Sequence, residues 1–217
     1  MPDLEHEKRT AAHAAAELVE EGMTVGLGTG STVRHLLDAL AERRLRDIRC
    51  VATSMGTERQ AVALGLAVEP FEALDRLDIA IDGTDQVDPQ GRLVKGGGGA
   101  HTREKIVAAA AARFVVIADS SKVVEALGPP VPLELMRFGL PATMNALGEI
   151  TLRREGPSSP DGGVIADFHG PVGDPDELAA WLAGTPGVVD HGLFGAALVS
   201  DVLVARGGEV EHRTVGG

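Results

Sequence analysis

The chain has 217 residues, 44% hydrophobic, 24% charged and only 3% aromatic, a balance that suits one large or two modest globular domains and excludes whole-chain disorder. Twenty Lys and Arg against 32 Asp and Glu give a formal charge of −12; nucleic acid and anionic membranes are disfavoured as partners, since the densest basic cluster, Arg43, Arg44 and Arg46, sits beside Glu42 and Asp47. The single cysteine, Cys50, excludes an intrachain disulfide and a cysteine-cluster metal site.

Residues 1–9 are charged and lack the apolar stretch of a secretory signal, and no apolar run approaches the roughly 20 residues that span a bilayer. The chain therefore reads as cytoplasmic. Periodicity predicts a helix over 10–21 closed by Gly22, a strand over 24–27, a helix over 32–44, a strand over 48–52 and a helix over 57–64 ending at Gly65. Further strands are predicted over 67–69 and 77–81. Asp88-Pro-Gln-Gly91 has turn chemistry and leads to a short strand over 93–95, then a helix over 102–112 and a buried strand over 114–118. This alternation is that of a parallel α/β sheet with helices on its faces.

At Gly128-Pro-Pro130 and Pro132 the pattern breaks, and an extended connection with a domain boundary near 130 is expected. Beyond it a smaller α+β unit is predicted over 131–206. It holds a helix over 141–147, strands over 149–153 and 164–168 around a turn-rich loop at 156–163, and a helix over 175–183. Two strands, 197–206 and 209–213, flank Gly207-Gly208 at the end.

Ligands of open α/β sheets bind beyond the carboxyl ends of the strands, and three loops at such positions are unusual. Gly26-Leu-Gly-Thr-Gly-Ser-Thr32 joins a strand to a helix and exposes backbone N–H groups to an anion. Ser31 stands where a dinucleotide fingerprint needs its last glycine, and the P-loop lysine is missing, so a small phosphate or carboxylate fits better than a dinucleotide. The ordinary alternative is a tight turn with Ser31 or Thr32 as helix N-cap. Asp82-Gly-Thr-Asp85 offers two carboxylates for sugar hydroxyls, a cation or proton transfer, or else a turn in which each Asp holds nearby N–H groups.

The third loop, Lys95-Gly-Gly-Gly-Gly-Ala-His-Thr-Arg-Glu-Lys105, has four consecutive glycines, costly to order unless the backbone must approach something closely. Lys95 supplies a cation for phosphate or a developing oxyanion, and Glu104 a base. Each also has an ordinary role, a solvated lysine and a first-turn acid; the helix dipole that favours Glu104 as an anion would lower its basicity. Lys122, after the 114–118 strand, reaches the same crevice or lies in solvent. The seven histidines show no metal-ligand spacing, and no metal is expected.

Five runs in order, GLGTGST at 26–32, AIDGTDQVD at 80–88, LVKGGGGAHTREKIVA at 93–108, IADSSKVVEALG at 117–128 and TPGVVDHGLFGAALVSDVLVARG at 185–207, resemble the successive motifs of type A ribose-5-phosphate isomerases. The resemblance spans about Glu7 to Arg206. It implies interconversion of D-ribose 5-phosphate and D-ribulose 5-phosphate in the pentose phosphate pathway, without a metal or organic cofactor. It also implies an open Rossmann-like domain with a smaller ferredoxin-like α+β domain, the last strand, about 207–215, rejoining the first, and a homodimer or homotetramer. By motif, Glu104 matches the proton-transferring base, and Asp82, Asp85 and Lys95 the active-site carboxylates and lysine. Thr29, Gly30, Ser31, Thr32, Gly83, Thr84, Gly96, Gly97, Gly98 and Lys122 match substrate-binding positions.

The chain departs from the family pattern at Thr84 and Gln86, where D-G-A-D-E is usual, at His101, where Leu is common, and at Ser159-Pro-Asp-Gly-Gly163, where T-D-N-G-N is usual. Three alternatives stay open: isomerisation of a different sugar phosphate, a non-catalytic sugar-phosphate sensor, and a CoA-transferase-like enzyme with Glu104 as nucleophile.

Overall fold

Asp3 opens the first helix: its carboxylate accepts from the His6 N–H at 3.1 Å, and Glu5 and Glu7 occupy the first turn, where the helix dipole favours them. In this computed structural model, which describes residues 2–156 and 158–215, α1 (Leu4–Ala16) thus forms within the charged segment and ends well before 21. Pro157, within the loop expected over 156–163, lies outside the described residues. β1 (Thr24–Leu27), α2 (Ser31–Arg43), β2 (Arg49–Ala52) and α3 (Met55–Ala63) follow close to expectation. No strand forms over 67–69; Val68 makes only an isolated parallel bridge to Cys50. β3 (Ile79–Gly83) ends beyond the expected 81 and carries Asp82 within it.

β4 (Gln86–Val87) and β5 (Leu93–Val94) flank the anticipated reversal, in which the Gly91 N–H donates to the Asp88 carbonyl at 3.0 Å. α4 (His101–Ala110) and β6 (Phe114–Asp119) come next. The prolines around 130 do not prevent regular structure, because β7 (Val131–Leu135) is a fully buried strand. Pro132 sits near its start, and its carbonyl still accepts from the Gly192 N–H at 2.7 Å. α5 (Leu140–Leu147), β8 (Ile150–Leu152), β9 (Val164–Phe168) and α6 (Pro175–Gly184) agree with the sequence pattern. β10 (Val188–His191) and β11 (Leu193–Phe194), short runs separated by Gly192, do not stand out in it. β12 (Asp201–Arg206) and β13 (Glu209–Thr214) close the chain as a hairpin.

The main sheet has the order β13-β12-β6-β3-β1-β2 and is parallel except for β13. The chain rejoins it at Asp201, so β12 belongs to this sheet and not to the second unit. The second sheet, β10-β7-β9-β8, is antiparallel, with α5 linking β7 to β8 and α6 linking β9 to β10, the βαββαβ arrangement of ferredoxin-like folds. β11, β5 and β4 form a small antiparallel sheet. Among the described residues no helix is long and apolar enough to cross a membrane.

Strand alternation decides what faces α4. Ile79 and Ile81 share one core with Leu36 and Leu40 of α2, whereas Ala80 packs in another core with Val107 of α4. On β1, a Cβ at Gly26 would lie 2.5 Å from Val107 Cγ1. Small residues at Gly26 and Ala80 therefore let α4 lie close over the sheet, and Asp82, two residues on from Ala80, faces the same way.

Glu7 is buried at 2% exposure and accepts from the Ser120 and Gly207 N–H groups, both at 2.8 Å, fastening α1 to the ends of β6 and β12. Those donors, Gly207 first, hold its carboxyl below the usual range. A depressed folded pKa stabilises above the ordinary carboxylate value and is lost as pH falls through the folded one. Glu7→Ala should therefore lose about 2 to 4 kcal/mol at pH 7, two buried donors being left unpaired. Urea denaturation of both proteins checks this, and the gap should narrow in acid.

Candidate active site

β1 lies between β2 and β3, so the connections after β1 and β3 diverge and leave a crevice at the carboxyl edge of the sheet. All three glycine- or carboxylate-bearing loops open on it. One cleft is lined by Thr29, Gly30, Ser31, Thr32, Gly83, Thr84, Asp85, Lys95, Gly96, Gly97, Gly98, Glu104 and Lys122. Asp82 is the one expected site residue that does not line it; it lies beneath, against Lys95.

Lys95 is the centre of the site. Its Nζ lies 3.0 Å from Asp82 Oδ2 and 3.1 Å from Glu104 Oε2, and it donates to the Gly83 carbonyl; the three residues are each at most 3% exposed. Burial works against the ammonium, but the fields of Asp82 and Glu104 outweigh it and hold its pKa above the usual lysine value. The two carboxylates are not equivalent. Asp82 Oδ1 accepts from the Thr29 N–H at 3.0 Å and the Gly83 N–H at 2.7 Å, besides the Lys95 contact of Oδ2. Glu104 Oε2 meets Lys95 off the hydrogen-bond direction and has no hydrogen-bond partner.

Two buried carboxylates and one ammonium carry an excess negative charge, which one proton relieves. Burial raises both carboxyls, with Lys95 opposing it, and Glu104 is pushed up to about 8, the Asp82 charge adding to the desolvation. The helix dipole expected to lower its basicity is overruled by burial at the first turn of α4.

Gly30, whose φ is 127°, stands at the N-cap position of α2 and offers no side-chain cap. Ser31 and Thr32 are thus the first helical residues rather than the cap, and their N–H groups belong to the uncapped turn, a ready anion site. Asp85 Oδ2 accepts from the Gly97 N–H at 2.7 Å, and the Thr84 hydroxyl donates to the Gln86 and Val94 carbonyls at 2.7 and 3.0 Å. Both carboxylates of the Asp82-Gly-Thr-Asp85 loop therefore hold backbone N–H groups, as a turn would, yet both also face the ionic centre. Lys122 ends the short helical turn after β6, half-buried at the rim.

Several contributors are not prominent in the sequence. A Cβ at Gly28 would fall 1.9 Å from Asp82, so only glycine admits that carboxylate. Thr57 donates to the Gly28 carbonyl at 2.8 Å, and Thr53 pairs with Thr29 through their hydroxyls at 2.8 Å; Thr53, directly after β2, was open to the strand-end rule. Arg153 reaches the glycine loop from the second sheet. Among the described residues no group of three His, Cys, Asp or Glu is arranged to hold a metal ion.

A parallel α/β sheet with a buried lysine–carboxylate centre and an uncapped helix N-terminus in one cleft defines an enzyme-like site for a small anionic substrate. The family model for ribose 5-phosphate isomerase A (phosphoriboisomerase A) matches residues 49–209, and one for the DeoR C terminal sensor domain matches 4–60. The chain is 44% identical to the ribose-5-phosphate isomerase A of Nitrobacter hamburgensis, over 95% of this chain and 97% of that one. It is 45% identical to that of a Roseiflexus species, over 97% of each. The structure is similar to ribose 5 phosphate isomerase A from Neisseria gonorrhoeae (TM-score 0.94, 30% identity, all of both chains). It also matches a D-ribose-5-phosphate isomerase in complex with phospho-erythronic acid (TM-score 0.92, 31% identity, 98% and 99% of the chains). The chain belongs to the ribose 5-phosphate isomerase A family and is, as a member of it, an isomerase.

Gly28→Ala should leave the fold intact by circular dichroism and lower isomerase turnover by about a hundredfold, since Asp82 must move out of register with Lys95. Unchanged turnover would contradict the fit of Asp82 against Gly28.

Proposed function

We propose that this chain interconverts D-ribose 5-phosphate and D-ribulose 5-phosphate, with Glu104 moving the proton between the two reacting carbons. The observation that carries the reading is the buried, under-bonded Glu104 carboxylate beside a permanent cation, in a cleft whose other wall is an uncapped helix start. The phosphate sits on the Gly30–Thr32 N–H groups and Lys122, and the carbonyl end of the open-chain sugar lies towards Lys95 and Glu104.

Glu104 takes the proton from C2. The C–H electrons form the C1–C2 double bond, and the carbonyl oxygen gains the negative charge that Lys95 stabilises. A proton passes from O2 to O1, and Glu104 returns its proton to C1, leaving the ketone at C2. Raised basicity suits a group that must accept a proton from carbon. Asp85, which lines the cleft, assists ring opening, while Asp82, saturated by the Thr29 and Gly83 N–H groups, keeps Lys95 charged and in place. The proposed setting is the pentose phosphate pathway of the cytoplasm.

Glu104→Gln preserves shape and removes the base. With EDTA present, the wild type should form ribulose 5-phosphate from ribose 5-phosphate and the variant should be at least about a hundredfold slower. Equal rates would remove Glu104 from the reaction. Binding of ribose 5-phosphate by the folded wild type with no turnover would favour a sensor instead.

A further inference from the structure

We propose that Arg153, anchored by Asp167, is a positioning residue that aims the peptide N–H groups of the glycine loop at the reacting end of the substrate; this rests on the isomerase reading above. Arg153 follows β8, and its own N–H extends the β8–β9 ladder to the Ile165 carbonyl at 3.0 Å. Its guanidinium is used on every edge. Nε and Nη2 donate to Asp167 of β9 at 2.7 and 2.5 Å, and Nη1 donates to the carbonyls of Gly96 and Gly97 at 2.8 and 3.2 Å. Both side chains are only 17% exposed, so the pair is a braced fork and not a solvated surface contact.

The consequence follows from peptide geometry. In a trans peptide the carbonyl and the next N–H point opposite ways. With the Gly96 and Gly97 carbonyls both drawn onto Arg153, the N–H groups of Gly97 and Gly98 face away from it, forming a small anion-receiving nest. The Gly97 N–H reaches the cleft-lining Asp85 carboxylate at 2.7 Å, while the Gly98 N–H has no protein acceptor among the described residues. Glycine lacks the side chain that would hold these peptides; the Gly99 N–H steadies the Gly96 carbonyl at 3.0 Å and Asp85 holds the Gly97 N–H, but the Gly97 carbonyl has no donor inside the loop, so the Gly97–Gly98 peptide must be oriented from outside it. Side chains have no room to do so: a Cβ at Gly96 would lie 2.7 Å from His101 Nδ1, and one at Gly97 would lie 2.8 Å from Asp85. A donor approaching from the second sheet meets that requirement, and Arg153 is the donor that does.

The test uses Arg153→Lys, Arg153→Met and Asp167→Asn in the full chain. For ribose 5-phosphate, kcat should fall at least about tenfold with KM little changed, the split expected when an interaction is lost mainly in the transition state. Inhibition by phospho-erythronic acid, which carries a carboxylate besides its phosphate, should weaken in parallel, while competition by inorganic phosphate should not. Should Arg153→Met fail to fold, the lysine and Asp167→Asn variants carry the comparison. Wild-type kcat and inhibitor affinity in all folded variants would overturn the proposal. So would equal weakening of phosphate and phospho-erythronic acid, the mark of general loosening. Amide exchange at Gly97, whose N–H is bonded to Asp85, separates this from the parent reading. Faster exchange in Arg153→Lys supports the clamp even if wild type shows no isomerase activity, and unchanged exchange rejects it.

Discussion

The ammonium of Lys95, out of water and shared by two carboxylates, is the interaction on which the rest of this site depends. Taking one partner from a buried ion pair typically costs about 3 to 5 kcal/mol, because the remaining charge is left uncompensated. The fold meets that demand with backbone. Gly28 leaves room for Asp82, the Thr29 and Gly83 N–H groups saturate one of its oxygens, and the Gly83 carbonyl takes a proton of Lys95. Glu104 is the partner with least support, and the excess negative charge of the trio is relieved most readily by protonating it. The same imbalance that would be a defect in an inert core raises the basicity of the carboxylate proposed as the base.

The second sheet contributes to this site without lining the ionic centre. Thr102 donates to Glu134 of β7, Arg103 grips Asp161 at 2.8 and 2.6 Å, and Lys105 reaches Asp190 at 2.5 Å and the His191 carbonyl at 2.6 Å. Three residues around Glu104 on α4 are thus tied to the 131–206 segment, and Arg153 holds the loop that precedes the helix. α4 is clamped between two sheets, so the Glu104 carboxylate has little freedom to escape the cleft. Ser159 and Asp161, which stand among the departures from the family's T-D-N-G-N element, take part in this bracing: Ser159 donates to Glu134, and Asp161 pairs with Arg103.

Much of the cleft was legible in the sequence because glycine clusters and paired acids after apolar runs mark strand ends, where such folds bind ligands. Thr29 to Thr32, Asp85, Lys95, the glycine loop, Glu104 and Lys122 all meet there. What stayed hidden depends on distance or environment. β7 carries a proline and follows two more, so local propensity argued against a strand that tertiary pairing imposes. α1 begins in a charged segment because Asp3 caps it and Glu7 finds buried donors far along the chain. Arg153 is remote in sequence from Gly96, and nothing local signals their meeting. The sign of the Glu104 shift was set by burial against the helix dipole, which only the folded arrangement decides.

Everything proposed for this cleft turns on Glu104 being a carboxyl made basic by burial beside Asp82. Carbon-detected NMR of protein labelled at the Glu side-chain carboxyl, with the Glu104 signal assigned by its loss in Glu104→Gln, measures this directly. A midpoint near 8 is expected for Glu104, moving down in Asp82→Asn, where the like charge is gone. A midpoint at the ordinary 4.5, indifferent to Asp82, would contradict it.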